Sequence, residues 1–234
     1  MKIPNVPWLS KDAIAKMASD VISGYESVSG EKIVPPVPVE NIIEQYLNIK
    51  LGNIDFENQL GMKGVLGATY VKAKVILIDE KLTQRGKSGR ASFTCAHEVG
   101  HWVLHRQYVQ EAQRTGDDTE VIICREVDSR ERIEWQADYF ASCLLLPEKQ
   151  LRKAFMNVCD SDVLYLENVR STIKSSAVFV ESCIENWPMI ADAIIEAGRF
   201  ENVSKQAMVI RLQDLGLLVN LTSEKLGWRK SRPN

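Results

Sequence analysis

His97, Glu98 and His101 stand in the stretch FTCAHEVGHWVLH, residues 93–105, which contains all three histidines of the chain. On an α-helix, positions i and i+4 lie about 40° apart in azimuth and one turn apart in height, so His97 and His101 project side by side. Two imidazoles so placed can share a cation, because zinc takes nitrogen ligands at about 2.0–2.1 Å and one rigid element supplies both. Glu98, about 100° further round the helix, would reach a water on that cation without binding the cation itself. The competing reading is a buried helix that happens to be rich in imidazole. Three residues of fixed type do not exclude it.

A second stretch supplies what the first lacks. In EWQADYFASCLLLP, residues 134–147, Ala137, Asp138, Ala141 and Leu145 fall within about 60° of Glu134 on a helical projection. Two carboxylates therefore share a face that otherwise reads as core, and acidic groups are rarely buried without a partner. A dication held by two histidines would be such a partner. Glu134 would complete a His, His, Glu ligand set, and Asp138, one turn later, would accept the remaining ring N–H of a ligand histidine and fix its tautomer. A solvated pair of helical carboxylates is the alternative, and beside H-E-x-x-H the metal reading is preferred. His105 lies about 12 Å along a straight helix from His97, too far for both to bind one metal, so it is expected to pack or to hydrogen-bond near the site. The third histidine of the metzincin pattern is absent. Cys95 sits on a different side of the helix from His97 and cannot act as the upstream cysteine ligand of a peptide deformylase.

The elements that must carry these residues are read from periodicity and punctuation. Residues 11–22 have helical spacing of Ala13, Ile14, Met17 and Val21, the PPVP run at 35–38 forces an extended link, and a short helix is expected over 39–47. GVLGATYVKAKVILID, residues 64–79, reads as two strands joined by a tight turn near Lys72 and Ala73. An exposed edge of this hairpin could bind an extended peptide by strand addition, or the hairpin could simply close the core. A polar loop, QRGKSGRAS, follows, with Ser92 or Thr94 able to cap the metal helix. A third strand is expected in EVIICR, 120–125, then a long helix over about 129–146, with Pro147 opening another. The fold class is α+β. The divisions expected are an N-terminal helical segment 1–34, a core 35–157 and a helical C-terminal region 158–234, packed as one unit.

Composition narrows the class without naming it. With 45% hydrophobic and 26% charged residues and a net charge of −2, the chain has no global electrostatic pull toward nucleic acid. The five cysteines are odd in number, widely spaced and without a C-x-x-C pair, which argues for buried free thiols and a reducing cytoplasm rather than disulfides. The N-terminus lacks the apolar stretch of a signal peptide, and no segment approaches the roughly 18 apolar residues of a membrane span.

Taken together, the two stretches resemble the ImmA/IrrE metallopeptidases. FTCAHEVGHWVLH, with Arg90 before it, is similar to that family's R-x-x-F-T-x-A-H-E-x-G-H-x-x-x-H, and EWQADYFASCLLLP to its E-x-x-A-N-x-F-A-x-x-L-L-M-P. Asp138 stands where the family often has Asn, and Leu146 where it often has Met; Asp keeps an acceptor for the histidine. The resemblance implies a zincin-like, thermolysin-like minimal core, with the metal helix packed on a small sheet, followed by a helical C-terminal part. It further implies zinc on His97, His101 and Glu134, and Glu98 as general base of an endopeptidase. Manganese or iron(II) would accept the same ligands. The substrate implied is a protein partner, a helix-turn-helix (XRE-type) transcriptional repressor. In such chemistry the base takes a proton from the attacking water and returns it to the departing amine. Tyr70 and Tyr139 are candidate donors to the oxyanion, with core packing as the alternative for each.

The C-terminal region offers a different function. Residues 188–218 read as two helices around a turn, and VSKQAMVIRLQDLG resembles the second helix of a helix-turn-helix, with Ser204 as N-cap and Lys205, Gln206 and Arg211 able to meet DNA. Glu196, Glu201 and Asp214 leave no basic patch, which favours packing or partner docking. The alternative to the peptidase is thus a DNA-binding or adaptor protein whose metal is structural or whose peptidase site is idle.

Overall fold

The computed structural model describes residues 6–83, 88–114, 121–125, 132–166, 172–174, 179–181 and 186–222. The chain divides into two compact units, Met1–Leu145 and Leu146–Asn234. The architecture is α+β, as the periodicities predict.

In the first unit, α1 (Lys11–Ser29) is capped by Ser10, whose side chain accepts from the Ala13 N–H, and ends at Gly30 in the left-handed conformation. It runs seven residues beyond the predicted end because Ile22 and Tyr25 continue the stripe begun by Ile14, Ala18 and Val21. That stripe packs against α5 (Arg132–Leu145). A turn of α-helix, Val39–Asn41, widens into a π-helical stretch, Ile42–Tyr46, and together these form α2.

The sheet contains β1 (Lys50–Ile54), β2 (Val65–Tyr70), β3 (Val75–Asp79) and β4 (Val121–Arg125), in the order β1-β3-β2-β4. Only the β1–β3 pair is parallel. A short helix, α3 (Phe56–Leu60), capped by Asp55, links β1 to β2. The β2–β3 turn carries Lys74 in the left-handed region. The predicted hairpin lies in the middle of the sheet, each of its strands bonded on both sides, so the strand-addition edge suggested for it does not exist there. The reason is the β-branched content of VILID and VLGATY, which suits strands buried on both faces.

Alternation along the strands separates two environments. Ala68, Tyr70, Leu77, Val121 and Ile123 pack with Phe56 on one face, which Val65 joins through a register shift between Val65 and Gly67. Gly67, Thr69, Ile76 and Ile78 occupy the other, with Thr69 opposite Ile76 and Gly67 opposite Ile78. Against this face lies α4 (Ser88–Arg114), the helix of the histidines. Burying side chains such as Ile76 and Ile78 contributes about 1.5–3 kcal/mol each before entropic costs, enough to hold a helix to the sheet at a fixed depth. The helix begins at Ser88, ahead of the expected caps. Ser92 and Thr94 lie inside it, and the Thr94 hydroxyl donates back to the Arg90 carbonyl at 3.0 Å, the usual use of threonine within a helix.

The second unit contains α6 (Glu148–Val158), begun by Pro147 as predicted, α7 (Trp187–Gly198) and α8 (Lys205–Asp214). Four short strand segments, β5 (Leu164–Leu166), β6 (Thr172–Lys174), β7 (Phe179–Glu181) and β8 (Leu218–Asn220), were not expected; β5 pairs in parallel with β8, and β6 with β7. Ser204 caps α8 by accepting from the Ala207 N–H. Among the described residues no helix is long and apolar enough to cross a membrane.

Candidate metal centre

Helices α4 and α5 meet at a glycine. A Cβ placed on Gly100 would lie 3.1 Å from both the Cα and the carbonyl oxygen of Ala137, so any side chain there would press the two backbones apart by a few tenths of an ångström. Because Gly100 follows His97 by three residues and precedes His101 by one, the crossing sets both histidines against α5. Ala137 occupies the equivalent place between Glu134 and Asp138.

Two imidazoles and a carboxylate converge as a result. His97 Nε2 lies 3.2 Å from Glu134 Oε2, and His101 Nε2 lies 3.3 Å from Glu134 Oε1. All three residues are buried, and their donor atoms lie within 4.8 Å of one another. Ligands at about 2.0–2.1 Å from a tetrahedral ion are about 3.3–3.4 Å apart, so the spacing is that of a zinc-sized coordination edge. The His101 Nε2 and Glu98 Oε1 atoms are buried with no hydrogen-bond partner. Such atoms are costly unless something satisfies them, and a cation with its water would satisfy these. Burial pushes the Glu134 carboxyl up, but its interactions with His101 and His97 outweigh that and hold it well below the usual carboxylate range, ionised as a ligand must be.

Each partner is oriented from behind. His97 Nδ1 lies 2.8 Å from Asp138 Oδ1, where the imidazole N–H donates to the carboxylate, and its Nε2 faces Glu134. His105 lies one turn beyond His101 on α4. Its Nδ1 is 3.0 Å from His101 Nδ1, and its Nε2 is 3.0 Å from Gln136 Oε1. Burial above all, then the neighbouring His101, pushes its pKa down to about 3, so it is a neutral imidazole.

Glu98 is fully buried, one residue from His97 and off the ligand set. The Thr69 hydroxyl donates to its Oε2 at 2.6 Å and holds one oxygen, leaving Oε1 without a partner. Gly67 makes the room: a Cβ there would lie 2.4 Å from Oε1. Burial, the largest influence, raises the Glu98 carboxyl above its ordinary range, the direction a proton-shuttling group requires. The sequence reading missed both Thr69 and Gly67, although strand alternation puts them on one face of β2. The same alternation puts Tyr70 on the opposite face, among Phe56, Val65 and Ala68, away from Glu98. Tyr139 extends a stack with Trp135, ring centroids 5.7 Å apart, beneath the Lys11 ammonium.

The three residues offered to DNA separate. Lys205 is exposed and forms an ion pair with Asp192, and Gln206 is half-buried. Arg211 is buried, 2% exposed, on the same face of α8 as Met208, Val209 and Leu212, and cannot meet a DNA backbone; that assignment is overturned. The residue three beyond Met208 and one before Leu212 falls within the buried arc of a helix of 3.6 residues per turn.

An α+β core with H-E-x-x-H on a helix against a small sheet, and a glutamate donated by the next helix, defines a zincin-like class. The chain matches the IrrE N-terminal-like domain (Peptidase_M78) over residues 45–181, more than half its length, and belongs to that peptidase family. The match spans the sheet, α4 and α5. No curated protein matches the chain significantly.

Proposed function

We propose that this protein is a zinc-dependent endopeptidase that hydrolyses a peptide bond in a protein partner, with a helix-turn-helix repressor of the XRE type as the expected substrate. The observation that carries the reading is the convergence of His97, His101 and Glu134 beside a buried Glu98 oxygen that has no hydrogen-bond partner. The substrate class comes from the family resemblance.

His97 Nε2, His101 Nε2 and a Glu134 carboxylate oxygen would hold the dication. When bound, it supplies Lewis acidity, easing loss of a proton from water and polarising the scissile carbonyl. Asp138 fixes the Nδ1–H form of His97 so that its other nitrogen is available as a donor. Thr69 holds Glu98 Oε2, so Oε1 takes a proton from the attacking water and hands it to the departing amine. The buried setting excludes bulk water, which makes each of these charge interactions stronger than it would be at the surface.

The test uses the full chain reconstituted with zinc and its Glu98→Gln variant. Each is incubated with purified XRE-type repressors and with a proteome-derived peptide pool, and new termini are read by mass spectrometry. Wild type should generate new termini, and Glu98→Gln should do so on the order of 10²–10⁴-fold more slowly while binding zinc equally. Undiminished cleavage by the variant overturns the role of Glu98. Absence of cleavage by wild type with zinc, manganese and iron(II) overturns the peptidase.

A further inference from the structure

Protons in a chain of hydrogen bonds can be assigned when one end can only accept. Gln136 Nε2 lies 2.9 Å from the carbonyl oxygen of Pro7, and a carbonyl is never a donor. The amide nitrogen therefore faces Pro7, and Gln136 Oε1 faces His105 Nε2. That imidazole nitrogen must donate, which leaves the lone pair of a neutral His105 on Nδ1. Its neighbour at 3.0 Å, His101 Nδ1, must then donate as well. The other ring nitrogen of His101, Nε2, is the atom 3.3 Å from Glu134 Oε1. The reverse proton order between the two rings would put hydrogens on both nitrogens of His105 and bury an imidazolium at a site with 0% exposure.

The far end of this chain is anchored firmly. The Arg132 guanidinium donates to the Val6 carbonyl at 3.1 Å. The Trp8 indole stacks on Trp135, centroids 4.7 Å apart and planes within 11°. Pro7 is thus pinned from both sides onto the first turn of α5, the turn that also carries Glu134.

We infer that Pro7, Gln136 and His105 form a relay that fixes His101 in its Nδ1–H tautomer, so that the N-terminal segment organises the metal site from outside it. Asp138 does this directly for His97; His101 is reached through two side chains and a backbone carbonyl. His105 and Gln136 are positioning residues, and the relay's bearing on metal binding rests on the metallopeptidase reading above.

The experiment is long-range ¹H–¹⁵N spectroscopy of the metal-free full-length chain labelled in its histidines, together with zinc affinity from chelator competition. In wild type, His101 should show a protonated Nδ1, and His105 a protonated Nε2 and an unprotonated Nδ1. Gln136→Leu should mix the tautomers of both rings and weaken zinc binding about 10- to 100-fold, the range for residues that orient a metal ligand. Trp8→Ala, which frees the segment without touching either histidine, should shift both readouts in the same direction. A wild-type His101 without a proton on Nδ1 overturns the relay with no variant required. Zinc affinity unchanged in both variants also overturns it. Wild type with the expected tautomers but no zinc binding overturns the metallopeptidase reading instead.

Discussion

A single methyl group at position 67 should silence hydrolysis and leave the metal in place. On the Gly67 backbone, a Cβ would sit 2.4 Å from Glu98 Oε1, 3.0 Å from its Cδ and 3.1 Å from its Cγ. Ordinary contact begins at 3.4 Å, so the carboxylate must retreat by about 1 Å. The flexible end of Glu98 is what gives way, because Gly67 is paired with Ile78 on one side and Cys124 on the other. The backbone at this position has no left-handed φ, so alanine is compatible with the strand itself. A misplacement of about 1 Å in a reacting group costs on the order of 10²-fold in rate, about 2.7 kcal/mol, which lies within the whole contribution expected of a general base. Overpacking should lower folding stability by about 1–3 kcal/mol. The assay compares kcat/KM of wild type and Gly67→Ala on the peptide pool, with zinc stoichiometry measured on the same samples. The expected result is a loss of about 10²-fold with one zinc retained. Full activity would refute the placement of Glu98 against β2. Loss of zinc along with activity would show that the methyl disturbs the ligands rather than the base.

Two further outcomes are expected. Gly100→Ala should act on the metal rather than the base: its Cβ would meet Ala137 backbone at 3.1 Å and the Phe140 Cβ at 3.3 Å, parting α4 from α5 and weakening zinc binding about tenfold or more by chelator competition; unchanged affinity would contradict the role of this crossing. Burial pushes the Cys159 thiol up to about 11 from an ordinary value of 9.0. The fold therefore favours the neutral thiol, and the stability this contributes is complete below pH 9.0 and is lost as pH rises from there toward about 11. In urea titrations across that window, wild type should lose stability more steeply than Cys159→Ala, by up to about 1.4 kcal/mol per pH unit; parallel slopes would contradict it.

The convergence of His97, His101 and Glu134 was legible because a helix converts sequence spacing into geometry: His97 and His101, and Glu134 and Asp138, are each i, i+4 pairs, the second on a face that otherwise reads as core. What α4 and α5 do to each other was legible only in part, since two buried carboxylates call for a cation while the glycine that lets the helices touch carries no chemical signal of its own. Thr69 and Gly67 were missed because their contact with Glu98 spans about thirty residues and depends on which face of β2 meets α4. Gln136 reads as one more polar residue of a helix until Pro7, far away in the chain, comes to lie on it. The hairpin's place in the sheet was likewise set by pairing with β1 and β4, which local patterns do not encode. Arg211 misled because a charged residue in a short helix was read by type, whereas Met208, Val209 and Leu212 already marked its arc as buried.

The central claim is that His97, His101 and Glu134 hold one catalytic dication, and the most direct measurement is anomalous scattering at the zinc edge from crystals of the full chain grown with zinc. A single strong peak about 2.0–2.2 Å from His97 Nε2, His101 Nε2 and a Glu134 carboxylate oxygen is the predicted result. A peak bound elsewhere, or one that leaves Glu134 out of its ligands, would contradict it.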